Sequence, residues 1–156
     1  MGNSFANYPS LRGKNILITG GASGIGKELV KGFAEQGSNV AFLDLNDKAG
    51  ERLSLDTGEN VFFQKCDLKE VGNLKSSIEK LRAKIGLFDV LVNNAAHDDR
   101  HNWQEVTEAY WDERFATNLR HQFFTIQSVA KDMIQKGGGS IVNIGSNSWM
   151  EAVGNF

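Results

Sequence analysis

The strongest constraint on the fold is a glycine-rich junction between two different hydrophobic patterns. An apolar run, Asn15-Ile16-Leu17-Ile18-Thr19, passes at once into Gly20-Gly21-Ala22-Ser23-Gly24-Ile25-Gly26. Beyond it, Ile25, Leu29, Val30, Phe33 and Ala34 recur at helical spacing until Gly37 ends the pattern. A short run that is apolar throughout predicts a strand buried on both faces, as in a parallel sheet covered by helices. Glycines at 20, 24 and 26, spaced Gly-x-x-x-Gly-x-Gly, let the chain turn tightly and pack the new helix against the sheet.

The same alternation continues along the chain. Strands are predicted at 15–19, 39–43, 61–65, 90–93 and 140–144, and helices at 25–36, 47–55 and 71–85. A long helix starts near Thr107 and carries Trp111, Phe115, Leu119, Phe123 and Ile126 down one face until Gly137-Gly138-Gly139 stops it. Strands joined by helices with right-handed crossovers give an α/β, Rossmann-type doubly wound parallel sheet, ordered 3-2-1-4-5. The 156 residues suffice for a single domain spanning 1–156.

Composition removes several classes of function. A net charge of -2 with no basic cluster argues against nucleic acid or an anionic membrane as partner. The lone cysteine, Cys66, excludes an intrachain disulfide and a cysteine-based zinc site, and its place after an apolar run predicts a packed thiol. His97, Asp98, Asp99 and His101 are too nearly consecutive to converge on one ion, so no metal is expected. Without a signal-like segment or an apolar span, the chain reads as cytoplasmic.

In such sheets, ligands bind beyond the carboxyl ends of the strands, where the strand order reverses. After the first strand, Gly20, Ala22, Ser23, Gly24, Ile25 and Gly26 would offer helix N–H groups to a pyrophosphate. Asp44 and Leu45 end the second strand, about 20 residues on, where a carboxylate accepts the ribose hydroxyls of adenosine. A carboxylate there repels a 2′-phosphate, which favours NAD over NADP; Asp44 could instead cap the next helix. Asp67 and Leu68 close the third strand, within reach of an adenine amino group or as a helix cap. Asn93, Asn94, Ala95 and Ala96 end the fourth, suited to close cofactor contact or to an asparagine-stabilised turn.

Taken together, residues 19–26, Asp67, 93–96, Asn118 and 140–146 resemble the short-chain dehydrogenase/reductase family. That resemblance implies an asparagine in the long helix that organises a catalytic water, which falls on Asn118. It also implies a catalytic serine after the fifth strand, which falls on Ser146, with Ser148 beside it. Tyr8-Pro9-Ser10-Leu11-Arg12-Gly13-Lys14, Asp98-Asp99-Arg100-His101, Tyr110-Trp111-Asp112-Glu113-Arg114, Asn118-Leu119-Arg120-His121 and Ser148-Trp149 are similar to bacterial NAD-dependent aldose 1-dehydrogenases. His97 and the run after Trp149 depart from that pattern. The implied activity is oxidation of the C1 hydroxyl of an aldose to a lactone, with the hydride passing from C1 to NAD. Asp98, Asp99, Arg100, His101 and Ser148 would then face a polyol substrate, unless the loop is only a solvated lip or an internal salt-bridge cluster.

The family's general base, a tyrosine in Tyr-x-x-x-Lys roughly a dozen residues past the serine, has no counterpart among the 156 residues. The expectation is therefore a chain truncated at its C-terminus, holding the cofactor-binding part of an enzyme whose full-length form is a homo-oligomer. Such a chain would expose apolar surface and a strand edge, and is expected to be marginally stable or to aggregate. Other readings are a 3-oxoacyl or carbonyl reductase of the same family, or a catalytically dead nucleotide-binding module.

Overall fold

The computed structural model describes residues 6–147 and 150. Five parallel strands, β1 (Asn15–Thr19), β2 (Asn39–Asp44), β3 (Val61–Lys65), β4 (Val90–Asn93) and β5 (Ser140–Asn143), form one sheet ordered β3-β2-β1-β4-β5. The helices are α1 (Gly24–Glu35), α2 (Asp47–Thr57), α3 (Val71–Ile85), α4 (Glu108–Phe115) and α5 (His121–Gln135). The Rossmann-type order is the expected one. Strand order reverses between β1 and β4, which puts the open crevice above their carboxyl ends.

Side chains alternate across the sheet and so build two cores. Leu17, Ala41, Leu43 and Leu91 pack with Leu74, Ile78 and Leu81 of α3 and Val129 and Met133 of α5. Ile16, Ile18, Val40 and Phe42 point the other way, onto Val30 of α1 and Leu53 of α2. Phe42 and Phe88 are fully buried, and each such side chain stabilises the fold by about 1.5–3 kcal/mol. Double coverage is the physical reason that β1 and β2 carry no polar face. β5 differs: all four of its residues are exposed, and it has a strand on one side only among the described residues.

Buried carboxylates tie the elements together at the opposite end of the sheet. Asp89 accepts the Asn15 amide at 2.9 Å and the Lys136 amine at 2.6 Å, joining β1 and the end of α5 to the start of β4. Asp132 accepts Arg82 Nε at 2.8 Å, pinning α5 to α3.

The long helix departs from its sequence-based reading. A π-helical turn, Ala116–Arg120, separates α4 from α5 and shifts the helical register. Trp111, Phe115, Leu119 and Phe123 are exposed, whereas Ala116, His121, Thr125, Val129 and Met133 face the sheet. Residue size misled here, because a heptad-like row of large apolar groups outweighed a smaller mixed face that the sheet buries. The other boundaries move slightly: α2 runs two residues further than expected, β2 gains Asp44, and β5 stops at Asn143. No helix among the described residues is long and apolar enough to cross a membrane.

Candidate functional site

A cleft of about 590 Å³ opens above the carboxyl ends of β1–β4. Its floor is Gly20 and Ser23 from the β1–α1 turn with Ile25 and Gly26 from the start of α1; Asp44 closes β2 and Leu45 follows it, and Cys66, Asp67, Leu68 and Lys69 follow β3. Asn94, Ala95, Ala96 and His97 follow β4, and Glu113 and Thr117 of the long helix complete the wall. The volume is that of a small-molecule site.

Gly20 and Gly26 both sit where a Cβ has no room. Gly20 has φ +68° and lies against Ala95, whose Cα would be 2.8 Å from an added Cβ. At Gly26 a Cβ would meet the Gly20 carbonyl oxygen at 1.9 Å, so the first turn of α1 rests directly on the strand end. Ser23 precedes α1 without a side-chain capping bond, which leaves the positive helix end open to an anion.

Around this turn, Thr19 and Asp44 hold backbone rather than empty space. Thr19 Oγ1 accepts the amides of Asn94 and Ala95, both at 3.1 Å, and Asn94 Nδ2 donates to the carbonyls of Thr19 and Gly20 at 3.1 and 3.0 Å. Asp44 Oδ2 accepts the Ala22 amide at 2.9 Å, and Oδ1 accepts the Asn46 amide at 2.9 Å. The N-cap of α2 is Asn46, not Asp44, so the capping alternative does not hold. Each Asp44 oxygen keeps a lone pair for a further donor. Asp67 likewise accepts the Lys69 amide at 3.0 Å in a tight turn, while Glu70 takes the N-cap place of α3.

Several expected residues play other parts. Asn93 is fully buried outside the cleft lining: it accepts Thr125 Oγ1 at 2.7 Å and donates to Asn143 Oδ1 at 2.9 Å. Ala22 contributes its amide to Asp44, and Gly24, with φ +51°, has open space where a Cβ would lie. Cys66 is packed as expected, and burial pushes its thiol above the ordinary range. No group of three His, Cys, Asp or Glu among the described residues could hold a metal.

On the other side, Asn118 clamps the loop after β4. Its Oδ1 accepts the His97 amide at 2.7 Å and its Nδ2 donates to the His97 carbonyl at 3.1 Å. The Asn118 carbonyl, displaced by the π-helical turn, accepts Gln122 Nε2 at 2.9 Å. Asp99 is half in this framework, accepting Arg114 at 2.7 Å and Tyr110 Oη at 3.2 Å. Desolvation pushes the Asp99 carboxyl up, but the Arg114 charge and the hydrogen bonds hold it below the usual carboxylate range. Tyr110 Oη lies 2.9 Å from His101 Nδ1, and the two rings pack at 4.9 Å. Asp98 and Arg100 are exposed and approach each other at 3.9 Å. Ser146 stands exposed beyond β5, and Ser148 lies outside the described residues.

Sequence reading gave no role to Glu113, Arg114, Thr117 or Lys69. Glu113 Oε1 meets Lys69 Nζ at 3.4 Å and accepts Thr117 Oγ1 at 3.2 Å. The i, i+4 spacing of Tyr110 with Arg114 and of Glu113 with Thr117 was the available signal. His121 was missed too: it is fully buried, and neither ring nitrogen reaches a hydrogen-bond partner.

A reversing parallel sheet with a glycine turn at its switch point and an acidic residue closing β2 defines a Rossmann-type domain. Residues 14–155 match the short chain dehydrogenase family, and the chain belongs to it. The chain is 48% identical over 149 residues to a D-xylose 1-dehydrogenase of Caulobacter vibrioides, covering 94% of this chain and 58% of that protein. It is 44% identical over 149 residues to a probable galactose dehydrogenase of Rhizobium meliloti, covering 93% and 58% respectively. Among solved structures, the 3-ketoacyl-(acyl-carrier-protein) reductase from Brucella melitensis complexed with NADH superposes with a TM-score of 0.87 at 25% identity, over 93% of this chain and 62% of that one. The chain thus spans somewhat under two thirds of the proteins it matches.

Proposed function

We propose that this chain is the cofactor-binding part of an NAD-dependent dehydrogenase that oxidises the C1 hydroxyl of an aldose to a lactone. The observation that carries the reading is the single cleft running from the uncapped start of α1 to Asp44 on one side and to the His97 loop on the other. Its shape and donors fit a dinucleotide: amides for the pyrophosphate, a carboxylate for the ribose hydroxyls, and Asp67 with Leu68 for adenine. A carboxylate side chain at the end of β2 would repel a 2′-phosphate, which favours NAD over its 2′-phosphorylated form. NAD, when bound, supplies the hydride acceptor.

The chain's own residues have distinct tasks in this reading. Asn118 holds the His97 loop and carries the family's water-organising position. Ser146, beyond β5, hydrogen-bonds the oxygen that changes from hydroxyl to carbonyl. Asp98, Arg100 and His101 present polar groups to a polyol, while Asp99 shapes their loop. Identity to the xylose and galactose enzymes supports a sugar as substrate. A second reading, a 3-oxoacyl reductase, is favoured by the fold match to the Brucella enzyme at lower identity.

Binding to the NADH-loaded chain separates these readings. Saturable binding of D-xylose or D-galactose, without binding of a 3-oxoacyl thioester, is the expected result. NADH binding with no affinity for any aldose would remove the sugar assignment.

A further inference from the structure

The loop 97–101 and the far end of the cleft are joined through one side chain. Arg114 is largely buried, with 18% of its side chain exposed, and its guanidinium reaches in two directions. One nitrogen, Nη1, donates to Asp99 Oδ1 at 2.7 Å and to the His97 carbonyl at 3.4 Å. The other, Nη2, pairs with Glu113 Oε2 at 2.5 Å, and Glu113 in turn holds Lys69 and Thr117 in the cleft wall. The guanidinium also lies 5.1 Å over the Tyr110 ring, which fixes His101. A planar fork presents donors to two carboxylates in one fixed geometry, which a compact ammonium on a flexible stem does not reproduce.

We propose that Arg114 is a positioning residue that couples the adenosine end of the cleft to the substrate-facing loop. It touches no substrate or cofactor itself. A nucleotide lying against Lys69, Glu113 and Thr117 immobilises Glu113, Glu113 orients the Arg114 fork, and the fork sets Asp99 and His97. Filling the cleft therefore orders the loop before substrate arrives. The Asn118–His97 clamp does not depend on Arg114, so the loop keeps its path when Arg114 is changed but loses the link to the cleft. This inference rests on the cofactor reading above.

Hydrogen exchange with and without NADH tests the coupling without needing the substrate's identity. In the wild-type chain NADH should slow exchange at 20–27 and, by at least about threefold, at 96–102. In Arg114→Lys, protection at 20–27 and NADH affinity should persist, while the added protection at 96–102 disappears. Glu113→Gln keeps the Arg114–Asp99 bond, so its free-state loop exchange should stay near wild type while NADH adds little at 96–102. Equal NADH protection of the loop in wild type and Arg114→Lys would overturn the proposal. Loss of protection throughout Arg114→Lys would overturn it as well, by showing a general structural role. Failure of the wild-type chain to bind NADH would instead overturn the cofactor reading, and this inference with it.

Discussion

Asp44 Oδ2 accepts the Ala22 amide at 2.9 Å, so the carboxylate that ends β2 is bonded to the glycine turn that follows β1. One side chain thus fixes the turn and faces the cleft. Removing it should affect both properties.

Asp44→Ala is expected to weaken NADH binding by about tenfold or more, since hydrogen bonds to a charged group contribute about 1.5–3 kcal/mol. The loss of negative charge should also narrow the preference for NADH over NADPH. Parallel titrations with the two nucleotides measure both effects. Unchanged affinities would remove Asp44 from the site.

Gly26 and Gly32 lie on the same helix but should respond oppositely to alanine. At Gly26 the new methyl collides with the Gly20 carbonyl, and overpacking of this kind costs about 1–3 kcal/mol or more. At Gly32 nothing lies within 4 Å of the added Cβ, and alanine in a helix interior gains about 0.5–1 kcal/mol. Thermal melts of the two variants should move in opposite directions from wild type.

Much of the fold could be read from single residues, and the exceptions have physical causes. Ile16, Leu17 and Ile18 are apolar in succession because both sheet faces are covered, and that pattern is local. The π-helical turn is not local: Asn118 leaves regular helical geometry while its side chain clamps His97, 21 residues away. Asn93 and Asn94 are adjacent and chemically identical, yet one lies buried against Thr125 and Asn143 and the other borders the cleft. Asn93 is the last residue of β4 and Asn94 the first beyond it, and a motif alone does not show where the strand ends. The Arg114 fork was hidden because its partners come from a neighbouring residue and from a loop with no regular structure.

His121 gives the protein a predictable response to mild acid. Burial pushes its imidazole below the ordinary range. Its folded pKa is thus depressed, so the unfolded chain binds the proton more readily. Stability from this group is present above the unfolded value of about 6.5 and falls as pH drops below it toward the folded value. The contribution changes by up to about 1.4 kcal/mol per pH unit in that window. Denaturant unfolding between mildly acidic and neutral pH should show this slope, and His121→Leu should flatten it. An equal slope in the variant would assign the acid sensitivity elsewhere.

The exposed strand β5 is the expected weak point in solution. Ile141 and Val142 are 40% and 47% exposed on a strand that carries no charge of its own and that, among the described residues, is paired on one side only. Val142→Lys should delay heat-induced light scattering while changing unfolding free energy by no more than about 0.5 kcal/mol. Scattering that begins at the same temperature would place the aggregating surface elsewhere.

Calorimetric titration of the wild-type chain with NADH tests most directly whether the glycine turn and Asp44 form a dinucleotide site. One saturable site is predicted, competed by ADP-ribose and weakened in Asp44→Ala. A folded chain that shows no saturable heat with NADH at millimolar concentration would contradict it.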